Sequence, residues 1–288
     1  LDSPSARLDL SQYAVPPTQL LSARRGLPPL DLKELRQSHE LLWSLAVRDV
    51  RARYKQTVLG AAWVVLQPLI AAGIFTFIFT IVADLQAPSG VPYFLFTFTG
   101  LLAWNSFSSV LTRSSGSLVA NAGLVSKVYF PRLVLPLATV LTVLLDLAVA
   151  SVLLVLLVLW HWQLPGWTIL LLPVCIGLLW GLALGVGLCV AAVAVSYRDA
   201  LYVLPVVTQF LMWGSAVLFP TGQVPERFQW ILYLNPLVSL IEGFRWSVLG
   251  VGTMHWGSLG YSAAFTLVVL LMGLFAFRQM ERRFADVI

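Results

Sequence analysis

What most constrains this chain is a series of long apolar runs, at 58–82, 93–118, 133–160, 169–195, 202–219 and 259–277. A helix needs about 20 apolar residues to cross the hydrocarbon core of a bilayer. The runs therefore predict an all-α polytopic membrane protein with six transmembrane helices. Apolar residues make up 59% of the 288 and charged residues only 11%, against about a quarter in soluble domains, so no large soluble domain is expected. The second run is unusually polar, with Thr97, Thr99, Asn105, Ser106, Ser108, Ser109 and Thr112. It is expected to face protein or water instead of lipid.

The basic residues orient the bundle. Lys33, Arg36, Arg48, Arg51, Arg53 and Lys55 precede the first run, Lys127 and Arg132 lie between the second and third, Arg198 between the fourth and fifth, and Arg278, Arg282 and Arg283 follow the last. The alternate connections 83–92 and 161–168 carry no Lys or Arg. By the positive-inside bias, both termini are expected in the cytoplasm. Residues 1–30 are polar and punctuated by proline, with no apolar core of a signal peptide, and are expected to form a cytoplasmic arm. Residues 31–56 read as an amphipathic helix at the membrane interface, opened by Asp31 and Glu34 at capping-box spacing. Docking of the same helix on protein is the alternative. The rest, 57–288, forms the transmembrane domain.

Several chemistries find no support. The lysines Lys33, Lys55 and Lys127 follow Leu, Tyr and Ser, so none closes a glycine-rich phosphate loop. Any ATP-driven work needs a second chain, and the protein itself is not expected to be an enzyme. His39, His161 and His255 are scattered, and Cys175 and Cys189 share one run, which offers no metal-ligand spacing. One acid, Asp146, lies in the middle of the third run, with Arg113 of the second as its nearest candidate partner. It reads either as a gate or relay, or as a neutral Asp or a buried pair that holds the second and third spans together. Gly177, Gly181 and Gly185 recur every four residues in the fourth run, a spacing that lets helix backbones approach. Gln67-Pro68 is expected to kink the first.

Between the fifth and sixth runs lie two proline-bounded pieces, 225–234 and 237–249, joined at Asn235-Pro236. Each is too short to span and too apolar for water. They are expected to form a re-entrant pair of short helices on the outer side, acting as a lid or as an interfacial anchor. Glu242 and Arg245 are three apart and are expected to pair on one face.

Four segments carry a resemblance: "RARYKQTVLGAAWVVLQPL" (51–69), "LVSKVYFPRLVLPLA" (124–138), "YRDALYVLP" (197–205) and "NPLVSLIEGFRWSVLG" (235–250). In this order and spacing the chain resembles the membrane subunits of ABC-2-type polysaccharide exporters, the O-antigen and teichoic-acid transporters. The resemblance implies a homodimeric channel in the cell inner membrane, bound to separate cytoplasmic ATPase subunits that hold ATP and Mg and drive a lipid-linked polysaccharide outward. It involves membrane lipid and no nucleic acid. It implies an ATPase-coupling segment at 124–132, with Leu124, Lys127, Tyr129, Phe130, Pro131 and Arg132, supported by Arg198 and Asp199. It implies an outer gate at 225–249, with Pro225, Phe228, Trp230, Tyr233, Asn235, Pro236, Glu242 and Arg245. Glycan-facing rings are expected among Phe75, Phe79, Phe94, Phe98, Trp104, Phe107 and Trp213. A permease for a smaller lipid or drug shares this architecture and is the alternative. An integral-membrane transferase would need a clustered acid–base pair, which the sequence does not offer.

Overall fold

A computed structural model describes residues 37–55, 60, 62–85, 87, 90–128, 130–163, 165–251 and 254–281. The expected arm 1–30, the Asp31–Glu34 capping box and Tyr129 lie outside the described residues. Those described form a helical bundle: α1 (His39–Tyr54), α2 (Ala62–Phe77), continued by a π-helical turn Ile78–Val82, α3 (Tyr93–Ala120), α4 (Ala122–Val125), α5 (Val134–Trp160), α6 (Leu172–Ser196), entered through a 3-10 turn Trp167–Leu171, α7 (Asp199–Gly214), α8 (Glu226–Leu234), α9 (Pro236–Leu249) and α10 (Trp256–Glu281). By length and apolarity, five of these can cross a bilayer: α2 with its π turn, α3, α5, α6 with its 3-10 turn, and α10.

The fifth expected crossing takes a different form. The run 202–219 is met by α7, which begins at Asp199 and has 16 residues, about 24 Å at 1.5 Å per residue. The chain then unwinds over 215–219. A hydrocarbon core is about 30 Å thick, so α7 by itself is shorter than a crossing.

The polar second run becomes α3, the central helix, touched by α2, α5, α6, α7 and α9. Several of its hydroxyls are buried and bonded within the helix: Thr99 donates to the Leu95 carbonyl at 2.7 Å, Ser106 to Ala103 at 2.8 Å and Ser115 to Leu111 at 2.7 Å, whereas the buried Thr97 hydroxyl has no partner among the described residues. A polar sequence is thus compatible with a protein-facing helix, because these groups need no partner in lipid.

The glycine spacing serves α6–α10 packing. A Cβ on Gly185 would sit 2.8 Å from the Leu270 backbone, one on Gly273 would strike the Gly185 carbonyl, and one on Gly181 would lie 3.2 Å from Thr266. Gly177 meets nothing and takes no part. α1 docks on α5 through Leu45 and Ala46, which are buried. Leu45 joins a cluster with Leu118, Phe130, Val134, Val195 and Phe277. That cluster gathers α1, the 124–132 segment, the end of α6 and the end of α10 at one end of the bundle. α8 and α9 lie at the other.

Candidate functional site: the re-entrant helices and the α1 end

The hairpin is unequal. α9 inserts among α3, α6 and α10 and buries most of its length, whereas α8 buries no residue. Asn235 makes the joint. Its side-chain oxygen accepts from the Leu237 N–H at 3.1 Å, capping α9 ahead of Pro236 at the first turn. Its amide nitrogen donates to the Gly214 carbonyl at 3.1 Å and to Ser215 Oγ at 3.0 Å. Gly250 closes α9 in the left-handed region at φ 67°, with its N–H on the Trp246 carbonyl.

The unwound end of α7 leaves carbonyls with no intrahelical donor, a costly condition at membrane depth. Side chains supply the donors. Arg245 donates to the Ala216 carbonyl at 3.1 Å and also to that of Val217, while the Tyr93 hydroxyl donates to Leu218 at 2.7 Å. The Arg245 guanidinium lies 3.9 Å from the centroid of Phe96, a cation–π contact. Gly100 makes the room, since a Cβ there would strike the guanidinium and lie 2.6 Å from the Val217 carbonyl.

Arg245 and Glu242, expected to pair, do not form an ion pair among the described residues. Glu242 accepts from the Thr221 hydroxyl instead. Arg245 is drawn to carbonyls that have nowhere else to turn, which outweighs an i,i+3 pair worth a few tenths of a kcal/mol (about 0.2–0.5). Glu242 lies in the connection between spans. Burial raises its carboxyl above the ordinary range, opposed by the Thr221 hydroxyl and by the charges of Arg245 and His255. Glu242, Arg245, Tyr233, Trp246, Gln229 and His255 border a cavity of about 540 Å³ at this end. Tyr233 meets His255 edge-on at 5.3 Å. Phe228 and Trp230 stay exposed on α8, which Pro225 precedes as N-cap.

Midway along α5, Asp146 finds more partners than expected. Arg113 Nη2 donates to its Oδ2 at 3.2 Å, Tyr54 Oη to Oδ1 at 2.8 Å, and Arg53 also forms an ion pair with it. The pairing with Arg113 was legible in the sequence, but the two partners from α1 were not. They are 92 and 93 residues away in the chain, and the only hint was a basic stretch abutting the first span.

The 124–132 segment is anchored at one side and open at the other. Phe130 is buried, Leu124 packs against the same cluster and Arg132 donates to the Glu281 carbonyl, tying the segment to the end of α10. Pro131 is half-buried, and Lys127 and Val128 are exposed. Arg198 and Asp199, at the turn after α6, are exposed at the same end.

The rings expected to face glycan divide. Phe98, Trp104 and Phe107 are buried within one chain, at 0%, 4% and 1% exposure, because α3 is the central helix. A second copy could not uncover them, so they are core residues and not channel rings. Phe75, Phe79, Phe94 and Trp213 keep exposure. Phe75 stacks on Phe79 at 6.2 Å and meets Trp213 edge-on at 5.9 Å, which makes an aromatic band across α2 and α7.

Known proteins are similar to this chain in sequence. An O-antigen export system permease protein, RfbA, of Klebsiella pneumoniae is 29% identical over 86% of this chain and 95% of its own length. The RfbA of Myxococcus xanthus is 30% identical over 74% of this chain and 82% of its own. The polysialic acid transport protein KpsM of Escherichia coli is 32% identical over 83% and 92% respectively. The ABC-2 type transporter profile matches residues 40–249, from α1 to the last residue of α9. The chain belongs to the ABC-2 type transporter family of membrane proteins.

Proposed function

We propose that this protein is the membrane subunit of an ATP-driven exporter that moves a lipid-linked polysaccharide of the O-antigen kind outward across the inner membrane. Two copies form the passage, and a separate cytoplasmic subunit binds ATP and Mg and hydrolyses ATP. The observation that carries this reading is the alignment with permeases named for O-antigen and polysialic acid over 86% and 83% of this chain, beside a family match at 40–249 that takes in the 124–132 segment and the hairpin alike. The positive-inside pattern supports cytoplasmic termini, which puts Lys127, Arg198 and Asp199 where an ATPase would dock. The hairpin then faces outward as a gate, with α9 as its fixed arm and α8 as its movable one. The band of Phe75, Phe79 and Trp213 suits a glycan, whose C–H faces lie on aromatic rings through contacts weak enough to let a polymer slide.

The test is to purify the chain from its own cell envelope and identify what comes with it. A polypeptide carrying a phosphate-binding loop is expected, and its ATP hydrolysis should rise when a lipid-linked glycan is added. Hydrolysis that ignores the glycolipid but responds to a small amphiphile would transfer the assignment to a lipid or drug permease.

A further inference from the structure

Around Asp146 the charges do not balance. The carboxylate is met by two guanidinium groups, Arg53 and Arg113, and by the Tyr54 hydroxyl. Among the described residues one positive charge is left over at this partly buried cluster. Each guanidinium has five N–H donors, and the hydrogen bonds among the described residues engage one donor on each. A partly buried cation without a counter-charge is unfavourable, and a site that retains one is suited to an anion.

The surroundings match. Arg53, Arg113 and Asp146 border a cavity of about 370 Å³ between α1, α2, α3 and α5. Gln67, Asn105, Ser108 and Ser109 also line it, and no hydrogen bond from their side chains is found among the described residues. Gln67 stands beside Pro68, inside α2. Hydroxyls, amides and free guanidinium N–H groups together are the donor set of a phosphate site. Around it the protein is apolar and uncovered: Trp63 and Ile70 on α2 and Leu145 and Val149 on α5 are exposed. A phosphate with a hydrocarbon tail fits both environments at once.

We propose that this cavity binds the phosphate head of an anionic lipid entering from the leaflet at the α1 end, with the phosphate head of the exported glycan's lipid carrier as its occupant. The carrier assignment rests on the export reading; the phosphate chemistry does not. Arg113 and Arg53 hold the phosphate oxygens, and the Asp146 carboxylate competes with the phosphate for the same guanidinium groups.

The test uses the full chain with its ATPase subunit in phosphatidylcholine nanodiscs, without ATP. A polyprenyl diphosphate is titrated against the uncharged polyprenol, and bound lipid is counted by native mass spectrometry. The diphosphate should bind at least tenfold more tightly. Arg113→Gln leaves a neutral Arg53–Asp146 pair and should weaken it roughly ten- to a hundredfold, the loss of a charged hydrogen bond. Asp146→Asn leaves two cations and should bind as well or better. A purely structural ion cluster predicts the opposite order, with Asp146→Asn the more damaging. Equal binding of diphosphate and alcohol, or equal losses in the two variants, overturns the proposal. If Asp146→Asn does not fold, unchanged affinity in Arg113→Gln overturns it alone. Displacement by inorganic pyrophosphate supports the phosphate site. Equally good displacement by phosphatidylglycerol overturns the carrier assignment in favour of bulk anionic lipid. Because binding is read without transport, a failure here leaves the export reading standing, and a failure of export leaves this result standing.

Discussion

Replacing Arg245 with Met keeps an unbranched side chain and removes every donor. The carbonyls of Ala216 and Val217 then lose their partner in a segment that is almost fully buried. An unsatisfied buried acceptor costs about 1–3 kcal/mol, so the pair costs about 2–6 kcal/mol. Loss of the contact with Phe96 adds up to about 2 kcal/mol. Relief from burying a charge offsets part of this. A net loss of about 2–4 kcal/mol is expected, a fall of roughly 5–15 °C in the melting temperature for a chain of this size. Arg245→Lys, a point charge able to reach one carbonyl, should lose about half as much. Gly100→Ala pushes a methyl into the guanidinium and should also destabilise. Its cost should shrink in the Arg245→Met background, where nothing charged remains to be displaced, so the double variant is less than additive. The assay is thermal unfolding of the detergent-solubilised protein followed by size-exclusion chromatography. A wild-type melting temperature for Arg245→Met, or strict additivity with Gly100→Ala, would refute the role given to Arg245.

Three further outcomes are expected. Lys127→Glu reverses an exposed charge in a segment whose anchor, Phe130, is untouched. It should weaken ATPase binding roughly tenfold or more with no change in melting temperature, and unaltered binding and export would count against a docking role. Gly273→Ala collides with the Gly185 backbone and should cost about 1–3 kcal/mol, whereas Gly177→Ala, which meets nothing, should be neutral or slightly stabilising; equal melting temperatures would reject the α6–α10 contact. For Glu242 the folded chain holds its proton to higher pH than the ordinary 4.5, so stability should fall as pH rises from about 4.5 through the raised value and level off above it. Glu242→Gln should flatten that slope, measured as melting temperature against pH, and an unchanged slope would remove Glu242 as its source.

What the sequence disclosed follows from the distances over which its signals act. Length and apolarity are local, so α2, α3, α5, α6 and α10 were legible within a few residues. Asn235-Pro236 was legible for the same reason, since cap and first turn are neighbours. The inward role of α3 could be inferred from its hydroxyls, but that same inference should have removed Phe98, Trp104 and Phe107 from the channel. Rings on a central helix are core, and only its centrality, a tertiary fact, says so. The unwinding after Gly214 left no mark, because 215–219 reads as an apolar continuation; its stability comes from Tyr93, Asn235 and Arg245, brought in from distant positions. Spacing suggested Glu242 for Arg245, yet the unpaired carbonyls made the stronger claim. Arg53 and Tyr54 reach Asp146 only because α1 folds back on α5.

The central claim is that this chain is a passage driven by a separate ATPase. Its most direct test is lumenal delivery of a radiolabelled, lipid-linked glycan in proteoliposomes holding the chain with and without the ATP-binding subunit. The account predicts delivery only with both polypeptides and ATP, and none with a non-hydrolysable analogue. Delivery by this chain alone, or independent of ATP, would contradict it.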